Sequence, residues 1–151
     1  LPTRAGPPYP ISIRGAGEML PRADNRVTLD RSKADKYGRP VPAIDLSEGA
    51  HAKRTMEYCL DVQRSIMGEL GATVTGESTL DGRSMSTHHM GTTRMGTDPS
   101  TSVVNPECRT HDLRNLWIAS SSVFTTGGAN NPTLTIAALA LRTAEHIDAK
   151  L

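Results

Sequence analysis

Asn130-Asn131-Pro132-Thr133-Leu134-Thr135-Ile136-Ala137-Ala138-Leu139-Ala140-Leu141 is the stretch on which the reading of the fold turns. Asn131 is a residue type that caps helices, Pro132 fits the first helical position, and Thr133 follows without a break. Leu134, Ala137, Ala138, Leu141 and Ala144 then trace one face at helical spacing. The pattern predicts a closing helix, and its many alanines imply close approach to a neighbour rather than a bulky core. The start of such a helix offers free N–H groups and a partial positive charge, which stabilise a negative group placed before it.

Immediately upstream, Asn115-Leu116-Trp117-Ile118-Ala119-Ser120-Ser121-Ser122 reads as a strand running into a turn of small residues. Before that lies His88-His89-Met90-Gly91-Thr92. An imidazole gains and loses its proton near neutral pH, which makes histidine the default general base. The amide of Asn131, held beside a proline, suits the orienting of a hydroxyl. Spacing alone does not join these parts into one site. A loop histidine near an ordinarily capped helix accounts for the same residues.

The first half reads more plainly. Residues 1–24 carry five prolines and three glycines, an extended or meandering entry. Asn25-Arg26-Val27-Thr28-Leu29-Asp30 is a strand in which Val27 and Leu29 alternate with polar residues, the half-buried pattern. Lys36-Tyr37-Gly38-Arg39-Pro40-Val41-Pro42 is a turn followed by a proline-flanked extended segment at a sheet edge. From about Ser47 to Leu70 a helix is predicted. Met56, Cys59, Val62, Ile66 and Leu70 recur at spacings of three and four, and Gly71 supplies a stop. That stripe reads as core packing. Residues 71–87 form a loop with a short strand around Ala72-Thr73-Val74.

Composition narrows the function classes. At 151 residues the chain has the size of one ordinary domain, yet aromatics are only 3% and the 36% hydrophobic share leans on alanine. So thin a core fits a modest independent domain, or a piece completed by another segment; Leu1 in place of Met favours the fragment. With 17 basic and 16 acidic residues spread without blocks, nucleic acid and anionic membranes are argued against as main partners. No apolar run approaches the ~20 residues of a membrane span, and no signal-peptide pattern opens the chain. Cys59 and Cys108 are too isolated for a disulfide framework, and with His88 and His89 they lack zinc-motif spacing. His51, His111 and His146 read as surface residues. Arg94 reads either as a substrate or phosphate contact or as a solvated, salt-bridged loop residue.

The order of these parts resembles the C-terminal end of the glucose–methanol–choline (GMC) oxidoreductases. His88-x-x-Gly91-Thr92 followed by Met95-Gly96 is similar to the family's active-site histidine segment, and Ser102-Val103-Val104-Asn105-Pro106 to the turn before Leu116-Trp117-Ile118. Asn131-Pro132-Thr133-Leu134-Thr135-Ile136 with Ala137-Ala138-Leu139-Ala140 resembles the closing motif. Asp24-Asn25-Arg26-Val27-Thr28-Leu29 resembles a common opening of the family's substrate domain. The likeness covers most of the chain. From Gly91 to Ala140 it looks most like the bacterial flavoprotein subunits of gluconate-type dehydrogenases.

The resemblance implies an α+β domain, a mostly antiparallel sheet with flanking helices. It implies an FAD-dependent enzyme that oxidises the CH–OH group of an alcohol, sugar or polyol. His88 falls at the catalytic base position and Asn131 at the second active-site position, which is His in some members and Asn in others. Ser120, Ser121, Asn131, Pro132 and Thr133 fall where the chain approaches FAD; a flavin C2 carbonyl, like a phosphate, is a group that a helix start can stabilise. Residues 1–151 would then form the C-terminal substrate-binding domain, with an upstream FAD-binding domain as partner. A cytochrome, a quinone or oxygen would take the electrons. Adjacent residues in extended chain face opposite ways, so one of His88 and His89 enters the site, and the family spacing selects His88.

Two departures stand out. Ser120 occupies a position where many members carry Asp, which alters one FAD contact. Gly15-Ala16-Gly17-Glu18-Met19-Leu20 begins like a dinucleotide fingerprint but has Leu at the third glycine position and no apolar strand before it, so it reads as chance. A piece without that fingerprint would hold FAD poorly by itself. The competing expectation is a non-catalytic carbohydrate-binding module or remnant that kept the architecture without a working flavin site.

Overall fold

A computed structural model describes residues 10–77 and 87–150. The elements run β1 (Arg26–Ala34), β2 (Pro40–Asp45), α1 (Ala50–Glu69), a 3-10 turn (Ser121–Val123) and α2 (Thr133–Asp148). The architecture is α+β, with two antiparallel strands and two helices among the described residues. Beyond that hairpin, β pairing is confined to isolated bridges, such as Arg109 with Trp117. No helix among them is long and apolar enough to cross a membrane.

The hairpin closes where the sequence places its turn. Asp35 Oδ1 accepts from the Tyr37 and Arg39 amides at 2.8 and 3.0 Å, and Gly38 takes the positive φ of 76° that the reversal needs. At the open end Asn25 clamps Ser47, accepting from its amide at 2.9 Å and donating to its carbonyl at 3.1 Å. β2 has Pro40 and Pro42, tolerated because both strands are edges. β1 runs to Ala34, with an irregularity after Asp30. The expected half-burial of Val27 and Leu29 is not met: they are 49% and 59% exposed, because nothing described packs on either face of the ribbon.

α1 begins at Ala50 rather than Ser47 and stops as expected. Gly71 adopts φ 62°, its amide bonds the Gly68 carbonyl at 3.0 Å, and the Ala72 amide bonds the Met67 carbonyl at 3.0 Å, a Schellman ending. The stripe of Met56, Cys59, Val62, Ile66 and Leu70 is not core, since α1 contains no buried residue. Its cover is the segment around Gly15 and Gly17, whose missing side chains let it approach Cys59, Gln63 and Thr55. The strand expected around Ala72-Thr73-Val74 is absent; those residues have no ladder partner.

The core lies in the second half. Val104, Cys108, Val123 and Phe124 are buried, with Met90, Met95, Ile118, Ile136 and Leu139 packed against them. Each fully buried aliphatic side chain contributes about 1.5–3 kcal/mol. The expected strand from Asn115 reduces to the bridge at Trp117, because the chain around it makes tight turns closed by side chains. Asn105 Oδ1 accepts from the Glu107 and Arg109 amides, and Thr110 Oγ1 bonds both the amide and the carbonyl of Leu113.

α2 turns a different face inward from the one the alanines suggest. Ile136, Leu139 and buried Thr143 face the core, whereas Leu134 and Leu141 are 86% and 69% exposed and Ala137, Ala138 and Ala144 lie open beside them. Both faces of this helix are apolar.

Candidate functional site

The backbone assembles the candidate site before any side chain takes part. The Gly91, Thr93 and Met95 amides donate to the carbonyls of Ser121, Ser122 and Val123 at 3.3, 2.9 and 2.8 Å. Every second residue of the histidine loop is thereby laced to successive residues of the 3-10 turn. Gly91 makes this possible with φ 81°, at a point where an added Cβ would sit 3.4 Å from the Phe124 carbonyl oxygen. Such close approach of backbone to backbone is what glycine permits.

The serines reinforce the lacing. Ser120 caps the 3-10 turn, its Oγ accepting from the Ser122 amide at 3.2 Å. Ser121 Oγ donates to the His89 carbonyl at 2.7 Å, and Thr93 Oγ1 bonds Ser122 Oγ at 2.7 Å. All three serine hydroxyls therefore have partners inside the chain.

His88 is exposed and sits at φ 63°, in the left-handed region. This corrects the expectation of extended chain: the alternation rule for neighbouring side chains does not apply, and His89, also exposed, is not set apart from His88 by that argument. A non-glycine residue held at positive φ carries a strain that surrounding structure must impose, and such residues gather at functional sites. Met90, anchored in the core, and the laced Gly91 impose it here.

Asn131 is exposed and Pro132 buried. The expected capping by Asn131 is not seen: Pro132 itself is the cap residue, with helical φ and ψ of −83° and −6°, and no side chain caps α2. Its amide is thus left for other partners, and the Thr133, Leu134 and Thr135 positions at the helix start lie exposed. The histidine loop and the asparagine loop meet through Met90. An added Cβ on Gly127 would stand 2.8 Å from Met90 Cε, so the loop leading to Asn131 is packed on the residue two beyond His88.

Arg94 is a half-exposed loop residue, its Nε donating to the Thr101 carbonyl at 2.7 Å. His111 is half-buried rather than a free surface residue, its Nε2 lying 2.9 Å from Ser102 Oγ. Among the described residues no group of His, Cys, Asp and Glu side chains is arranged to hold a metal ion. Two shallow concavities of about 270 and 200 Å³ flank α1, one near Arg22 and His51, the other near Tyr58 and Ile66; neither includes a predicted site residue. His88 and Asn131 are both exposed and lie outside these concavities.

Sequence reasoning missed Glu18. Its Oε1 accepts from Thr126 Oγ1 and, at 3.0 Å, from the Gly128 amide. Gly15 and Gly17 just before it, read as a chance motif, are where the chain presses against α1. No local signal in the sequence marks it, since Thr126 and Gly128 lie more than a hundred positions away.

The family model described as GMC oxidoreductase, C-terminal part, matches residues 21–140, and the chain belongs to that family. It is 37% identical over 131 residues to 2-methyl-1,2-propanediol dehydrogenase of Mycolicibacterium austroafricanum, covering 87% of this chain and 24% of that one. It is 33% identical over 141 residues to the fructose dehydrogenase large subunit of Gluconobacter japonicus, covering 91% and 25%. The fold is similar to that of pyridoxine 4-oxidase from Mesorbium loti, with a TM-score of 0.58 at 22% identity over 85% of this chain and 28% of that one. The chain spans about a quarter of the length of the curated relatives it matches. GMC oxidoreductases are generally flavoproteins.

Proposed function

We propose that this chain is the C-terminal, substrate-facing domain of an FAD-dependent oxidoreductase acting on the CH–OH group of an alcohol, sugar or polyol. An upstream FAD-binding domain completes the site. The observation that carries the reading is the strained, exposed His88 held on the same core as the uncapped start of α2.

The residues fit a flavin. The first turn of α2 carries no acidic side chain and no side-chain cap, so its amides can face an electron-rich carbonyl. Pro132, Thr133, Ser120 and Ser121 would line that wall. Because the serine hydroxyls are already bonded within the chain, their part is to bring backbone close. Ser120 in place of the family's usual Asp is consistent with that. Bound there, the flavin supplies a hydride acceptor.

The chain's own residues do the rest. His88 takes the proton from the substrate hydroxyl, a step worth about 10²–10⁴-fold for a placed general base. Asn131 donates to the same oxygen and orients the carbon's hydrogen toward the acceptor. Holding both on one rigid core supplies the pre-organisation from which such enzymes gain rate.

The open surfaces agree with a larger partner. The exposed apolar face of α2 and the uncovered end of the α1 stripe, Val62, Ile66 and Leu70, suit docking against the upstream domain, and the bare hairpin suits extension into the larger antiparallel sheet expected from the family. Two relatives are named for a diol and for fructose, which supports a small polyol or sugar substrate. The large-subunit name of the second supports a further subunit, such as a cytochrome, among the electron acceptors, beside quinone and oxygen.

The deciding experiment is substrate-driven bleaching of bound FAD in the full-length protein, wild type against His88→Ala. Bleaching in the wild type with loss in the variant is expected. Equal bleaching in both would move the base to His89, and a well-folded, flavin-free protein that still binds sugars would leave a binding module.

A further inference from the structure

We propose that Glu18 is a positioning residue, a latch that holds the Thr126–Gly128 loop and thereby fixes the approach of Asn131 to the substrate oxygen. The inference rests on the functional reading above, and its geometry stands on independent contacts. One carboxylate oxygen, Oε1, accepts both the Thr126 hydroxyl and the Gly128 amide, two residues apart, so the loop is pinned at both sides of Gly127. Gly128 takes φ 63°, a reversal that an unpinned chain would not hold as a single conformation. Asn131 follows three residues later.

The opposite side of the loop is also fixed. Gly127 is pressed on Met90 closely enough that a side chain there would require the methionine to move. The loop is thus held between Met90, next but one to His88, and Glu18. Glu18 is itself seated, because Gly17 beside it packs against Thr55 and Gly15 against Cys59 and Gln63 of α1. The latch couples α1, which contributes nothing to the buried core, to the asparagine loop. The Thr126 hydroxyl first, then the Gly128 amide and the nearby His51, hold its carboxyl below its ordinary range, so it is charged and a strong acceptor at neutral pH.

Misplacing a positioning group by an ångström costs on the order of 10²-fold in rate without removing any group that touches substrate. The test uses the full-length holoenzyme with Glu18→Ala, Glu18→Gln and Thr126→Val. Two readouts are taken: hydrogen–deuterium exchange of the peptide containing residues 126–130, and the limiting rate of flavin bleaching at saturating substrate. Glu18→Ala should speed exchange there and slow bleaching by about ten- to hundredfold, with a smaller change in the half-saturating substrate concentration. Glu18→Gln keeps an oxygen acceptor and should recover most of the rate. Thr126→Val, which removes one donor and leaves Glu18 in place, should shift both readouts in the same direction if Glu18→Ala does not fold. Unchanged exchange in these variants overturns the latch, and faster exchange with an unchanged rate overturns its positioning role. A wild type that holds no flavin would sink the oxidoreductase reading, while the exchange measurement still decides whether Glu18 holds the loop.

Discussion

Ser121 Oγ donates to the carbonyl oxygen of His89 at 2.7 Å, across 32 residues of chain. The residue that follows the candidate base is thus fixed by a side chain at the candidate flavin wall. Either part can move only if the other does.

Removing that tie should have a modest, measurable effect. Ser121→Ala is expected to lower unfolding free energy by about 0.5–1.5 kcal/mol, toward the lower end because the half-buried site lets water reach the freed carbonyl. Denaturant unfolding checks this, with Ser121→Thr, which keeps the hydroxyl, as the comparison. A midpoint equal to the wild type would show that the backbone lacing holds the loop unaided.

Gly91 should tolerate nothing larger. At φ 81°, alanine pays about 1–2 kcal/mol for the left-handed conformation, and its Cβ meets the Phe124 carbonyl. Thermal unfolding of Gly91→Ala should show a midpoint lower by several degrees.

His88→Gly separates strain from chemistry. Glycine relieves the positive φ while removing the imidazole. The variant should be no less stable than His88→Ala, since alanine keeps the strain, yet both should lose about 10²–10⁴-fold in substrate-driven bleaching. A His88→Gly protein clearly less stable than His88→Ala would contradict the strain argument.

Phe124 is the largest side chain of the buried cluster, and Phe124→Ala should cost about 3–5 kcal/mol. Because its carbonyl faces Gly91, loosened exchange in the histidine loop should accompany the loss. Exchange confined to the neighbourhood of residue 124 would show that the core and the loop are uncoupled.

The hairpin gives a pH prediction with a definite sign. The Arg39 and Tyr37 amides hold the Asp35 carboxyl below its ordinary value of 3.8. A depressed folded value means the contribution is complete above about pH 3.8 and fades as pH falls through the folded value. The gap in thermal midpoint between wild type and Asp35→Asn should be constant near neutral pH and close below pH 4. A gap that widened with acid would reverse the assignment.

Local signals in the sequence located the hairpin turn, the end of α1 at Gly71 and the presence of α2 just after Pro132, because each depends on neighbours along the chain. Burial was not legible. The stripes on α1 and α2 are genuine periodicities, but a period says only which residues share a face, not whether anything covers that face. The strand expected from Asn115 failed because Thr110 and Asn105 close turns with their own side chains, and such bonds compete with sheet pairing. His88 and Asn131 were picked out by family likeness; the strain at His88 and the failure of Asn131 to cap α2 belong to backbone angles that residue types do not reveal. Glu18 was overlooked because its partners lie more than a hundred positions away.

The lacing of residues 91–95 to 121–123 also bears on how the chain reaches this state. Its buried cluster is gathered from turns far apart in sequence, and of the two helices α1 and α2 only α2 reaches it. Contacts of such long loop separation are entropically costly to close and form late and slowly. The hairpin and α1 can form early from near neighbours. Competence for chemistry would then mark the final stage of folding, and a newly made chain would pass through species with both helices present and the histidine unplaced.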